Sequence, residues 1–126
     1  MRFQIVGAAL ALISPLVSGL GINCRGSSNC RGCAVNLSWL QDQMNGISDD
    51  TWFANGQHVT CHSCEGSLQN GQVCVFVQNY PQGLDAGTIK SKLGDLANHG
   101  CNSCGSCPIL PGNDVSTGMV TVNYVA

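Results

Sequence analysis

The apolar residues change their spacing several times along the chain, and each change marks an element. Arg2 precedes an apolar run from Ile5 to Ile13 broken only by Gly7, followed by Pro15 and Val17-Ser18-Gly19. A positive start, a short apolar stretch and small residues at the end predict a secretory leader cut after Gly19. The run is shorter than the ~20 residues that span a bilayer, and no second one follows. Residues 20–126 are therefore expected to be a single secreted, extracellular domain without a membrane anchor. Leu20 to Arg25 reads as an extended lead-in, with turns at Gly26-Ser27-Ser28 and Arg31-Gly32. From Ala34, Leu37, Leu40, Met44 and Ile47 recur at helical spacing, predicting a first helix that ends near Asn45-Gly46.

Beyond a loop over 48–56, Gln57 to His62 and Gln72 to Asn79 read as strands joined by a polar, glycine-bearing connection. The second strand sets Val73, Val75 and Val77 on one face and Cys74 and Phe76 on the other. Being apolar on both sides, it belongs in the middle of a sheet. Thr88 is positioned to cap a second helix with Ile89, Leu93, Leu96 and Ala97 as its apolar stripe, and Gly100 ends it. After a loop from Pro108 to Asn113, Val120, Val122 and Tyr124 alternate with Thr121 and Asn123, predicting a half-buried strand. The order is β-α-β-β-α-β, an α+β fold in which two helices cover an antiparallel sheet.

Composition sharpens this picture. Of 126 residues, nine are cysteine and only twelve carry a formal charge. Removing the leader leaves four basic and seven acidic residues, a net charge of −3. With no basic excess to neutralise phosphates, nucleic acid is excluded as a partner. Behind a leader, nine cysteines imply a disulfide framework rather than a metal centre, although Cys61-His62-x-Cys64 and Cys101-x-x-Cys104-x-x-Cys107 have metal-like spacing. Triplets at the two ends suggest a ladder of Cys24–Cys101, Cys30–Cys104 and Cys33–Cys107. Of Cys61, Cys64 and Cys74, two are expected to close a local loop and one to be left over. The odd thiol makes a disulfide-linked dimer of an otherwise monomeric protein conceivable.

No G-x-S-x-G, H-E-x-x-H or cysteine–histidine signature appears, so neither an enzyme nor a cofactor is expected. His99 precedes Gly100, where a cation meets the helix dipole; Asp114 reads as a turn-forming Asx residue; and His62 reads as solvated loop. Trp39 and Trp52 are expected to pack in or near the core. Asn36-Leu37-Ser38 is a glycosylation sequon, with Asn36 as the acceptor. The exposed basic groups Arg25, Arg31, Lys90 and Lys92, with His58, are the candidates for contact with a target.

Three stretches carry a family resemblance: Leu20-Gly21-Ile22-Asn23-Cys24-Arg25-Gly26-Ser27-Ser28 with Cys30; Asn98-His99-Gly100-Cys101 with Cys104-Gly105; and Gly112-Asn113-Asp114-Val115-Ser116 with Thr121-Val122-Asn123-Tyr124-Val125. Together they resemble the killer protein four family, the virus-encoded toxin of the corn smut fungus and its relatives in fungal genomes. The resemblance implies an α/β sandwich of a sheet under two antiparallel helices. It also implies a secreted toxin that stops growth of target cells by interfering with calcium uptake, with a calcium channel as the surface protein it meets. This chain departs from the family in three places. The family carries Lys and Arg just before a central cysteine, whereas residues 54–60 here hold neither, and only His58 can take up positive charge there. The chain ends at Val125-Ala126 where the family has a cysteine. Cys33 and Cys107 fall where the family has none. A secreted effector with a target other than a channel is the alternative reading; a hydrolase is the more remote one. A surface-active wall protein such as a hydrophobin is a weak alternative, since no Cys-Cys doublet occurs.

Overall fold

A computed structural model describes residues 20–65 and 69–126; the leader expected over 1–19 lies outside the described residues. The chain runs through α1 (Asn29–Cys33), α2 (Leu37–Met44), β1 (Trp52–Phe53), β2 (Thr60–Ser63), β3 (Gln72–Gln78), β4 (Leu84–Asp85), α3 (Ala86–Asn98), β5 (Gly105–Pro108), a 3₁₀ turn (Val115–Thr117) and β6 (Met119–Val125). The principal sheet has the order β2-β3-β6-β5, with every neighbour antiparallel. It is an α+β fold with four disulfides, as the sequence pattern implies.

The core lies between the sheet and the two longer helices. Val75 pairs with Val122 and Val77 with Val120 across β3 and β6, and all four are fully buried along with Val73. Over them pack Leu37, Leu40 and Met44 of α2 and Ile89, Leu93 and Leu96 of α3. Each of these side chains contributes roughly 1.5–3 kcal/mol by leaving water. β3 sits in the interior of the sheet, as its two-sided apolar pattern requires. On its other face Cys74, Phe76 and Gln78 stand opposite Asn123, Thr121 and Met119. There Thr121 donates to Gln78 Oε1 at 2.8 Å, which satisfies a hydroxyl only 4% exposed.

Local chemistry sets the helix limits. Asp85, not Thr88, is the N-cap of α3. Its carboxylate accepts from the Thr88 N–H at 2.9 Å and from the Thr88 hydroxyl at 2.8 Å, so Thr88 is the donor three residues into the motif. At the other end Gly100 adopts φ +101°. The N–H of Cys101 then reaches Leu96 O and that of Gly100 reaches Ala97 O, each at 3.1 Å, closing the helix in a Schellman motif. Ala97 is exposed rather than part of the apolar stripe.

Several elements depart from the sequence expectation. Residues 29–33 form a short helix where turns were expected, because Cys30 and Cys33, three residues apart on one side, are both tethered by disulfides. Leu20 to Arg25 contributes only a bridge, Asn23 to Ser106, on the outer edge of β5. β5 itself contains glycine and proline, which mask it in the sequence. Gly105 is required there, since a Cβ would lie 2.6 Å from Asn23 O. Residues 52–53 leave the expected loop to pair with β4. Conversely, Ala54 to Gln57 is a turn rather than the start of β2, with Gly56 at φ +83°.

Candidate functional site

The cystine frame gathers the ends of the chain. Cys24–Cys101 and Cys30–Cys104 have Cα separations of 5.1 and 6.3 Å and span 77 and 74 residues of sequence. The third expected rung, Cys33–Cys107, is absent: Cys33 pairs with Cys64, and Cys61 with Cys74, leaving Cys107 free. Register explains why. Ser27, beside α1, donates its N–H to Asn123 Oδ1 at 2.8 Å, whereas Cys107 lies on β5 opposite Val120. In the order β2-β3-β6-β5, Cys107 lies on one edge strand, whereas Cys33 is bonded to the chain just beyond the opposite edge strand, β2. Cys64 follows β2 at the α1 end, where the Glu65 N–H donates to Cys33 O at 2.8 Å. No cysteine of the middle triplet is left over.

Cys107 is 3% exposed, with its sulfur 4.0 Å from Asp95 Oδ2. Burial pushes the thiol pKa above its ordinary value; nearby Lys92 opposes this and Asp95 adds to it. A buried thiol with a raised pKa is a poor nucleophile.

The five candidate target-contact residues do not form one patch. Arg25 and Arg31 line the same open cleft at the stapled end of the molecule. Lys90 is engaged, its Nζ 2.6 Å from both Asp49 Oδ1 and Ile47 O. Lys92, two residues further along α3, lies about 200° around the helix from it and acts electrostatically on Cys107. His58 stands on the face of the sheet away from the helices, its ring 5.9 Å from Phe76.

His58 belongs to an exposed turn that also presents Asn55, Gly56 and Gln57. Next to this turn is Trp52, 59% exposed, its indole N–H held 3.1 Å from Gln82 O. The sequence reading expected this ring near the core. Pairing of β1 with β4 turns Phe53 inward and leaves Trp52 outward, a consequence of strand alternation. Trp39 is half-buried against His62, at 5.1 Å between ring centres. His62 therefore lies in β2 rather than in a solvated loop. Asn36, the sequon acceptor, is exposed at the N-cap of α2 with its side chain making no capping bond.

Among the described residues several carboxylates hold local structure, Asp49 on Lys90 and Asp85 at the helix cap. Asp114 accepts from the Ser116 N–H at 2.9 Å, and the hydroxyl and N–H of Ser116 hold its carboxyl pKa below the ordinary value. His62 approaches Glu65 at 3.9 Å on the surface. A ring nitrogen of His58 and the sulfurs of Cys61 and Cys74 lie within 4.8 Å of one another, but the disulfide withdraws both thiolates that a metal would need. The arrangement offers rigid surfaces for contact.

A family model described as Kp4 matches residues 6–126. The chain is also similar to the KP4 killer toxin of Ustilago maydis P4 virus, with 38% identity over 116 residues that cover 91% of this chain and 87% of that protein. With the stapled ends and the helix-covered antiparallel sheet in place, these matches show that the chain belongs to the Kp4 family and is a killer-toxin-like protein.

Proposed function

We propose that this protein is a secreted toxin that stops the growth of competing fungi or host plant cells by binding a surface protein and lowering calcium uptake. The observation that carries the reading is the 38% identity to a killer toxin over most of both chains. In this reading the leader over 1–19 is removed and the oxidised domain acts outside the producing cell. Four disulfides in a domain of this size suit an oxidising compartment. The protein works by contact rather than catalysis, through exposed groups such as Trp52, His58, Arg25 and Arg31 on a scaffold that needs no cofactor.

The test is growth of sensitive fungal cells and plant roots exposed to the purified oxidised protein, with and without millimolar added calcium. Inhibition relieved by calcium and abolished by reduction is the expected result. A second reading, a secreted effector with a different target, is favoured by the loop over 54–60, which carries no Lys or Arg to pair with an acidic channel mouth. Inhibition indifferent to calcium selects that second reading. Absence of inhibition in either organism removes the toxin reading.

A further inference from the structure

The end of the molecule closed by Cys24–Cys101 and Cys30–Cys104 carries an open cleft of about 870 Å³. Its polar wall comes from Arg25, Ser27, Ser28, Arg31, Asn102 and Ser103, and the lining includes no carboxylate and no aliphatic or aromatic side chain. We propose that this cleft binds an acidic oligosaccharide: Arg25 and Arg31 take the sugar carboxylates, and the serine hydroxyls and the Asn102 amide take ring hydroxyls.

Charge is the first support. The whole chain carries a formal net charge of −2, yet both guanidinium groups here are exposed, and neither joins an ion pair among the described residues. Lys90, by contrast, is bound to Asp49. Two uncompensated arginines thus share one concavity, and their planar forks suit carboxylate oxygens.

Shape and rigidity are the second. The volume falls within the roughly 300–1,000 Å³ of small-ligand sites. Beside the cystines the lining offers no aliphatic or aromatic side chain to seat a lipid tail or a hydrophobic peptide anchor. The walls are already fixed: two disulfides cross beneath them, the Ser27 N–H is held by Asn123, and Ser27 Oγ accepts from the Asn29 N–H at 3.1 Å. That acceptance leaves the Ser27 hydroxyl proton free to donate. Preorganised walls reduce the entropy lost on binding. Neutral hydroxyl and amide groups outnumber the two cations, which matches a ligand dense in hydroxyls with a few carboxylates. A lone phosphate would use only one corner of the site.

The experiment is calorimetric titration of the oxidised protein with trigalacturonate, maltotriose, triglutamate and inorganic phosphate. Expected are saturable trigalacturonate binding that weakens with added salt, and at least tenfold weaker binding in either Arg25→Gln or Arg31→Gln. Both substitutions are at exposed positions, and retention of the four disulfides by peptide mapping confirms that each variant is folded. Overturning results are no saturation by trigalacturonate at millimolar concentration, or affinity unchanged in both variants. Equal affinity for maltotriose shows that charge is not read, and equal affinity for triglutamate or phosphate shows that the sugar is not; each overturns the assignment. The titration is independent of the killing assay, so failure of one leaves the other standing.

Discussion

The pairing of Cys33 with Cys64 carries a sharp energetic consequence, because the sequence ladder would have joined Cys33 to Cys107 instead. The bridge closes a loop of 31 residues, and none of the other three bridges offers a shorter path between its ends. The chain-entropy relation assigns such a loop about 3.7 kcal/mol at 25 °C as an upper figure. At the typical unfolding entropy of about 2.1 cal/mol/K per residue, a domain of this size should lose about 15 °C in Tm. The perturbation is the double variant Cys33→Ala/Cys64→Ala, which removes both sulfurs and leaves no new thiol. It is compared with Cys107→Ala, which removes one buried sulfur and costs about 1 kcal/mol from the small cavity. The assay is scanning calorimetry of each oxidised protein, with reversibility checked by a second scan. If Cys107→Ala lowers Tm as much as the double variant, or the double variant melts within 3 °C of the parent, the pairing and the register behind it are wrong.

Three further outcomes follow from single contacts. Asp85→Ala should cost about 1 kcal/mol through loss of the α3 cap. The Thr88 hydroxyl and then its N–H hold the Asp85 carboxyl below 3.8, so this stabilisation is complete above that pH and disappears as pH falls through the lower folded-state value. Melts at pH 7 and pH 2 should therefore show the gap closing, and a constant gap would count against the cap. Cys107, with its thiol pKa raised by burial, should resist iodoacetamide in the native protein at pH 8 and take one equivalent after unfolding; rapid native labelling, read by mass spectrometry, contradicts its burial. Trp52→Ala should leave Tm within about 3 °C, since the ring is largely solvated, while growth inhibition falls. Unchanged inhibition would take Trp52 out of the target-facing surface.

The two long helices and the two valine-rich strands were legible in the sequence because their signals are local. Leu37, Leu40 and Met44 repeat with the helical period, Ile89, Leu93 and Leu96 do the same, and Val73 to Val77 is apolar on both faces. Burial of those stripes against one another leaves little choice of layer arrangement. What the sequence hid depends on contacts between distant residues. β5 carries Gly105 and Pro108, which have poor strand propensity, and exists because β6 and Asn23 flank it. The α1 helix is five residues long, too short to hold itself in water, and it persists because disulfides tether two of its side chains. The caps at Asp85 and Gly100 needed only neighbouring residues, yet choosing Asp85 over Thr88 required knowing which backbone N–H was unpaired.

The candidate site shows the same division. Composition alone identified four cations and a histidine as exposed candidates, but spacing along a chain carries no information about which of them share a surface. The fold placed Arg25 and Arg31 in one cleft, tied Lys90 to Asp49 and turned Trp52 outward. The sequence by itself determined the α+β class, the apolar core and the reliance on disulfides, since these follow from residue period and cysteine count. Which cysteines pair, which thiol is buried and which charges stand free were decided by the tertiary structure. A disulfide forms only where the register of strands brings two Cα atoms within about 7 Å, and that register is a property of the whole sheet.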